Sequence, residues 1–509
     1  MKKTAIIIMV ITVLSKILGF IREVSLSYFF GANNITDAYL ISQTIPTVLF
    51  SFIGAALGTG FIPMFSEIKV KVDEKKAIQF TNNLINIFIF LCTFLVSLAY
   101  LFTEPLVKMF AFGFTGDTLK LAINFTRISI FSIYFSGLVY IFIAYLQIKN
   151  NFIIPALIAF PMNIIIILSM YIATKTNFLY LAVGTVISFL AQLLFILPFT
   201  CSKGYKYKFY FDLKDKYVLT LFNIAVPAIL GVSVNQLNVL VDRTIASKIV
   251  EGGISALNYA NKLNGFVFGI FVISISTVLF PSISKMAAEK NYDGLKKSLN
   301  ESINSINLLV IPATIGLMMF STPIVEMLFA RGAFDERAVK MTSSALLFYS
   351  IGMIGYGLRE VLSKAFYSLK DTKTPTINAV ISLIMNIILN ITLSRFMGIA
   401  GLAFATSISA IVCTGLLFIS LRKKIGGFGL KEIIMSFIKI FISSIVMGVV
   451  AKASYSLLLQ GFNKNLSLII AIILGITVYF AIVPFMRIRE VDDIILKLKI
   501  KLKNINLKY

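Results

Sequence analysis

Fourteen long apolar runs constrain this chain more than any other feature. They lie near residues 5–30, 36–65, 78–102, 119–147, 152–174, 178–200, 217–248, 256–283, 299–321, 338–363, 375–394, 399–421, 433–459 and 466–486. Each supplies about the twenty residues an α-helix needs to cross the hydrocarbon core of a bilayer. No water is present there to satisfy backbone N–H and C=O groups, so such segments must be helical. Of the 509 residues, 58% are hydrophobic, and the mean hydropathy is +0.91. A water-soluble domain could not bury that share of apolar side chains. The expected fold class is an all-α polytopic membrane protein with about 14 transmembrane helices.

The charges orient these spans. Net charge is +24. On a soluble protein this would suggest nucleic acid, but here it reads as cytoplasmic loops enriched in Lys and Arg. An even number of spans puts both termini on one side. With the N-terminus in the cytoplasm, 30 Lys and Arg fall on the inside, 10 on the outside and seven within spans. The apolar run after Met1-Lys-Lys-Thr lacks a small-residue cleavage site and reads as a retained first helix. Cys92, Cys201 and Cys413 contain no CxxC pair and read as small core residues. The chain has no histidine, no Gly-rich phosphate loop, no nucleophile elbow and no metal-ligand spacing, which argues against an enzyme.

An internal repeat divides the spans. Pro63 in Ile-Pro-Met-Phe-Ser and Pro281 in Phe-Pro-Ser-Ile-Ser are 218 residues apart. Pro105 and Pro323 share that offset, and Pro155 and Pro375 differ by 220. The repeating unit is six spans, so the two copies have the same topology. The expected organisation is an N-lobe over 1–203, a C-lobe over 204–424, two extra helices over 425–487 and a basic tail over 488–509 lying on anionic lipid. Two such lobes around a central site is a transporter design that works by rocking.

Charges inside spans are costly and normally face a cavity or a partner. They include Lys16, Arg22, Glu23, Asp37, Arg127, Asp242, Arg243, Lys262, Arg359, Glu360 and Lys439. Lys16 and Arg22 are separated by about 120° on a straight helix, and a bend at Gly19 would bring them together. With Lys262 they would form a basic cluster suited to phosphate, with Glu23 as the counter-charge of Arg22. Asn386 and Asn390 share a face of span 11, with Thr406 on span 12. Joined by the Asp242 carboxylate they would make an oxygen shell for a monovalent cation. Interhelical hydrogen bonding accounts for the same residues equally well.

Several segments resemble the MurJ (MviN) family of lipid II flippases, within the multidrug/oligosaccharidyl-lipid/polysaccharide exporter superfamily. They are Ser15-Lys-Ile-Leu-Gly-Phe-Ile-Arg22, Phe30-Gly31, Thr36-Asp-Ala-Tyr39, Ile45-Pro46 and Phe61-Ile-Pro63. Further on they are Tyr259-Ala-Asn-Lys262, Arg331-Gly-Ala-Phe334 and Phe366-Tyr-Ser-Leu-Lys-Asp-Thr-Lys-Thr-Pro375. The resemblance implies a flippase carrying undecaprenyl-pyrophosphate-linked peptidoglycan precursor to the outer face of a bacterial plasma membrane for cell wall synthesis. It implies a central cavity lined by Lys16, Arg22, Asp37 and Lys262, and a lipid-tail groove formed by the last two spans. It also implies a sodium site at Asp242, Asn386, Asn390 and Thr406, with Na+ as coupling ion and no other cofactor. The expected partners are lipid II and membrane lipids, with no nucleic acid and a monomeric chain. Three departures stand out: Lys at 16 and 262 where the family has Arg, Phe50-Ser51 and Ala55-Ala56 in place of a basic pair and Glu-Gly, and Asn390 in place of an acid. They leave room for an exporter of another polyprenyl-linked glycan.

Overall fold

Side-chain caps and turns cut the apolar runs into helices. Asn33, Asp73, Asp215, Asn291 and Asn463 each accept backbone N–H groups from the first turn of the helix that follows, satisfying donors that have no partner within the helix. The computed structural model describes residues 2–493 and 495–496, with side-chain environments from residue 6 onward except at 273, 274, 277 and 278. Most of the basic tail lies outside the described residues.

The first ten helices are α1 (Lys2–Phe30), α2 (Asn34–Lys71), α3 (Glu74–Leu101), α4 (Thr103–Phe110), α5 (Gly116–Ser129), α6 (Ser132–Ile148), α7 (Ile153–Leu157), α8 (Ala159–Lys175), α9 (Leu179–Ser202) and α10 (Lys216–Ile249). The remaining eight are α11 (Gly253–Ala288), α12 (Tyr292–Met319), α13 (Ser321–Phe329), α14 (Glu336–Ser368), α15 (Lys373–Met397), α16 (Ile399–Ile425), α17 (Leu430–Leu458) and α18 (Lys464–Ile482), closed by a 3-10 turn, Val483–Met486. Among the described residues there is no strand.

Eleven helical segments are long and apolar enough to cross a membrane. The pair α5 and α6, bent by 41°, makes a twelfth if it crosses as one span. The sequence expectation of fourteen is reached only if α1 and α11, of 29 and 36 residues, also cross. Cys201 is exposed, unlike Cys92 and Cys413, because it sits in the last turn of α9 rather than in a core.

The chain packs as two units, Met1–Ser255 with Arg331–Ala338, and Ala256–Ala330 with Val339–Tyr509. In the first unit α2 is central and packs on α10, α5, α6 and α3. Its core is aromatic, with Phe61 stacked on Phe80 at 6.2 Å and Phe65 edge-on to Tyr145 at 5.6 Å. This unit runs on to Ser255, beyond residue 203 where the sequence repeat would end a lobe, because α10 lies along α2.

A polar strap is part of the first unit. Residues 203–215, between α9 and α10, run past three asparagines of α3. The Asn82, Asn83 and Asn86 amides donate to the carbonyls of Lys206, Asp212 and Tyr210. Their oxygens accept the Tyr205 hydroxyl, the Asp212 N–H and the Tyr207 hydroxyl. Every amide group of the ladder is therefore used.

In the second unit α15 packs on α16, and α12 on α17, which in turn carries α18. Helix α15 shows the inverted amphipathicity expected in lipid. Asn378, Ser382, Asn386 and Asn390, spaced by four residues, are buried, while Ile377, Ile381, Ile384, Ile388 and Ile391 are exposed. Apolar side chains face outward because the surrounding solvent is hydrocarbon.

Candidate functional site

Asp37 lies in the first turn of α2 and is 2% exposed. Its carboxylate accepts the backbone N–H of Gly252 at 2.9 Å and that of Ser255 at 2.7 Å, and also the Ser255 hydroxyl. These donors belong to the turn and first residues of α11, where a helix leaves N–H groups without partners and its dipole favours an anion. The sequence reading placed Asp37 on a cavity wall. The structure gives it three donors from one turn, so what it does here is hold the start of α11 against the start of α2. Arg243 reinforces that turn by donating to the Ile254 carbonyl at 3.1 Å.

Three more turns gather around this anchor. The Asn34 N–H donates to the Glu251 carboxylate, and the Arg337 guanidinium donates to the Glu251 carbonyl, each at 3.2 Å. Gly113, between α4 and α5, lies against the Ser247 carbonyl and gives its N–H to the Ser247 hydroxyl at 3.0 Å. Gly332, between α13 and α14, lies against the Tyr28 carbonyl, which also accepts the Ala333 N–H at 2.9 Å. A Cβ at either glycine would fall inside the closest approach of carbon and oxygen. Gly113 and Gly332 stand 219 residues apart, as do Tyr28 and Ser247. The same contact is therefore made twice, each copy of the repeat placing its glycine turn on a helix end of the other. Sequence reasoning missed this latch, although the offset between paired glycines was available.

The basic residues fall as follows. Arg22 pairs with Glu23 at 2.6 Å, with side chains 21% and 7% exposed. Helix α1 continues through Gly19, and Lys16 is exposed while Arg22 is half-buried. Nearby, the Gln43 amide and the Tyr39 hydroxyl both meet the Thr185 hydroxyl. Asp242 lies half-buried on α10 in this first unit, and Lys262 lies exposed on α11 in the second. Phe50, one of the departures from the family pattern, meets Tyr140 edge-on at 6.0 Å and lines a pocket of about 280 Å³ with Thr47, Ser136 and Gln192. Arg359 stacks on Tyr356 and Glu360 pairs with Lys364, so those two neighbours on α14 do not neutralise each other.

Asn386, Asn390 and Thr406 are brought together in the second unit. The Asn390 amide donates to the Asn386 oxygen at 2.8 Å, the Asn386 amide to the Thr406 hydroxyl at 3.3 Å, and that hydroxyl to the Leu402 carbonyl at 2.9 Å. Ser382 continues the row with a bond to the Ser409 carbonyl. The oxygens of Asn386 and Thr406 take part in this chain of bonds, which ties α15 to α16. Among the described residues no group of His, Cys, Asp and Glu could hold a metal ion.

This helical, membrane-spanning architecture defines an integral membrane protein with a transporter fold. A multidrug resistance MATE family transporter of the MOP superfamily, in an inward-facing conformation, superposes with a TM-score of 0.70 at 14% identity, over 83% of this chain and 98% of that one. A solved structure of lipid II flippase MurJ in an inward closed conformation superposes with a TM-score of 0.81 at 31% identity, over 94% of this chain and 98% of that one. The family model for lipid II flippase MurJ matches residues 26–473. The lipid II flippase MurJ of Thermosipho africanus is 32% identical over 94% of both chains, and the probable lipid II flippase MurJ of Vibrio cholerae is 31% identical over 82% of both. The chain belongs to the lipid II flippase MurJ family.

Proposed function

We propose that this protein is a transporter that flips lipid II, the lipid-linked peptidoglycan precursor, from the inner to the outer face of the membrane for cell wall synthesis. The match to the flippase family over residues 26–473 carries this reading. The protein does no covalent chemistry on its cargo. Its work is to exchange one closed face for the other by rocking of the two repeat copies.

Lys16, Arg22 and Lys262 are the residues we assign to the pyrophosphate. The Arg22 guanidinium is half-buried and already engaged by Glu23. A phosphate oxygen approaching it finds a donor with remaining N–H groups held in fixed orientation. With both termini in the cytoplasm, the Asp37 anchor and the glycine latch lie at the outer face, and their interlocked state is the outward-closed one. The chain acts as a monomer in this reading. No step is routed through sodium.

Rescue of a bacterial strain depleted of its own flippase tests the proposal. The unsubstituted protein should restore growth and Arg22→Ala should not, at equal membrane expression. Failure of the well-expressed unsubstituted protein, where another member of the family succeeds, would sink it. Rescue that tracks export of a different polyprenyl-linked glycan would move the assignment to that cargo.

A further inference from the structure

The repeat offset of 218 residues maps Asn82 and Asn86 of the polar strap onto Asn300 and Asn304 of α12. In the first copy this ladder is filled: its oxygens take two tyrosine hydroxyls and a backbone N–H from the segment between α9 and α10. In the second copy the matching connection, between α16 and α17, is only residues 426–429 and cannot run along the ladder. The asparagines there line a pocket of about 620 Å³, a size within the usual range for small-molecule sites. Asn304 is 5% exposed, and its oxygen has no hydrogen-bond partner. The Asn300 oxygen and one Glu490 carboxylate oxygen are likewise buried and unpartnered. Buried acceptors of this kind carry a desolvation cost unless a donor meets them.

The lining is net basic, with Lys296, Lys297, Lys439, Arg487 and Arg489 against the carboxylates Glu301, Glu432 and Glu490. Lys296 comes from α12, Lys439 from α17, and Arg487 and Arg489 from the segment after the 3-10 turn. That segment is fixed in place. Ile488 is buried beside Ile311 and Ile440, the Asn304 amide donates to Glu490 at 2.7 Å, and the Tyr479 hydroxyl ties α18 to the Leu308 carbonyl of α12 at 2.7 Å. The pocket thus offers cations for an anion and acceptors for hydroxyl groups within one rigid frame. The excess of positive charge disfavours a basic peptide, and a choline headgroup brings no donor. A phosphate diester bearing free hydroxyls satisfies both sets of groups.

We propose that this pocket binds the glycerophosphate headgroup of an anionic phospholipid. The phosphate is gripped by Lys439 and Arg489, and the glycerol hydroxyls donate to Asn304 and Glu490. The site is separate from the basic residues assigned to the cargo and does not depend on that assignment. A phospholipid bound here would tether α17 and α18 to α12 at the end of the helices richest in Lys and Arg.

Native mass spectrometry of the full-length protein, released from nanodiscs containing phosphatidylglycerol or phosphatidylcholine, tests the site. Phosphatidylglycerol should stay bound under activation that strips phosphatidylcholine. The double variant Lys439→Gln/Arg489→Gln should bind it roughly tenfold more weakly, as expected for loss of charge-assisted bonds. Asn304→Ala should weaken binding with the wall charges intact, and Lys464→Gln, outside the pocket, should change nothing. Equal retention of the two lipids, or unchanged binding in both pocket variants, would overturn the proposal. Displacement of the lipid by millimolar soluble glycerol phosphate would assign the pocket to a soluble ester and overturn the lipid source.

Discussion

Asp37 and Ser255 are 218 residues apart and joined by a 2.7 Å hydrogen bond, and 218 is also the offset of the internal repeat. Asp37 therefore grips its own counterpart in the second copy. Contacts between equivalent positions arise where two copies meet on the axis that relates them. A buried carboxylate at that point is satisfied only while the α11 turn is docked, which makes it sensitive to whether this face is closed. Asp37→Ala leaves two backbone N–H groups without their acceptor and should cost about 3 kcal/mol or more. Ser255→Ala removes only the hydroxyl and should cost about 1 kcal/mol. Thermal unfolding of both variants in detergent checks the order, and equal losses would deny Asp37 its backbone role.

The glycine latch gives a paired test. Gly113→Ala and Gly332→Ala both push a methyl group against a backbone carbonyl that cannot swing away as a side chain would. Gly332 also has a φ of +63°, where an L-residue is strained. Both variants should loosen the turns, by about 1–3 kcal/mol, with Gly332→Ala the worse. Hydrogen exchange at 111–115 and 330–335 reads this directly. In either variant faster exchange should spread to 249–253, since the turns hold that segment together. Confinement to the mutated turn alone would mean the four turns do not act as a unit.

Fold class was legible because lipid imposes one secondary structure on every apolar run. The count was harder: α5 and α6 break within one apolar run, while α1 carries several charges. Charge inside a span correctly marked Asp37 and Arg22 as unusual. It could not say that Asp37 would be spent on backbone donors, because a helix turn far along the chain leaves no trace in local composition. The repeat offset held that information, since adding 218 to 37 gives Ser255. It also held the asparagine ladder, whose three members read as isolated polar residues in an apolar run until the strap that they bind is seen.

Asp371 stands in the turn between α14 and α15, within the family-like stretch Phe366–Pro375. Burial alone would raise its carboxyl, but hydrogen bonds from Lys424 at 2.6 Å and from the N–H and hydroxyl of Thr374 bring it down to about 2. An ordinary aspartate titrates near 3.9. Because the folded value is the lower one, the stabilisation is complete above about pH 4 to 5 and is lost as the pH falls toward 2. Melting temperatures of the unsubstituted protein should therefore drop across that window, and Asp371→Asn should flatten the drop while lowering stability at pH 7. A variant that keeps the full acid slope would place its source on other carboxylates.

The clamp between α15 and α16 distinguishes packing from ion binding. Asn386 is held between Asn390 and Thr406, with its oxygen and its amide both used. Side-chain hydrogen bonds between membrane helices contribute about 0.6 kcal/mol on average and at most about 1.7. Asn386→Ala should cost an amount in that range, and the loss should be the same in sodium chloride and in potassium chloride. A sodium shell would behave otherwise. The unsubstituted protein would melt higher in sodium than in potassium, by an increment that grows with concentration as a bound ligand requires, and Asn386→Ala would abolish the difference. Equal melting in the two salts establishes Asn386, Asn390 and Thr406 as a helix clamp, and a sodium-specific rise lost in the variant would establish them as ligands.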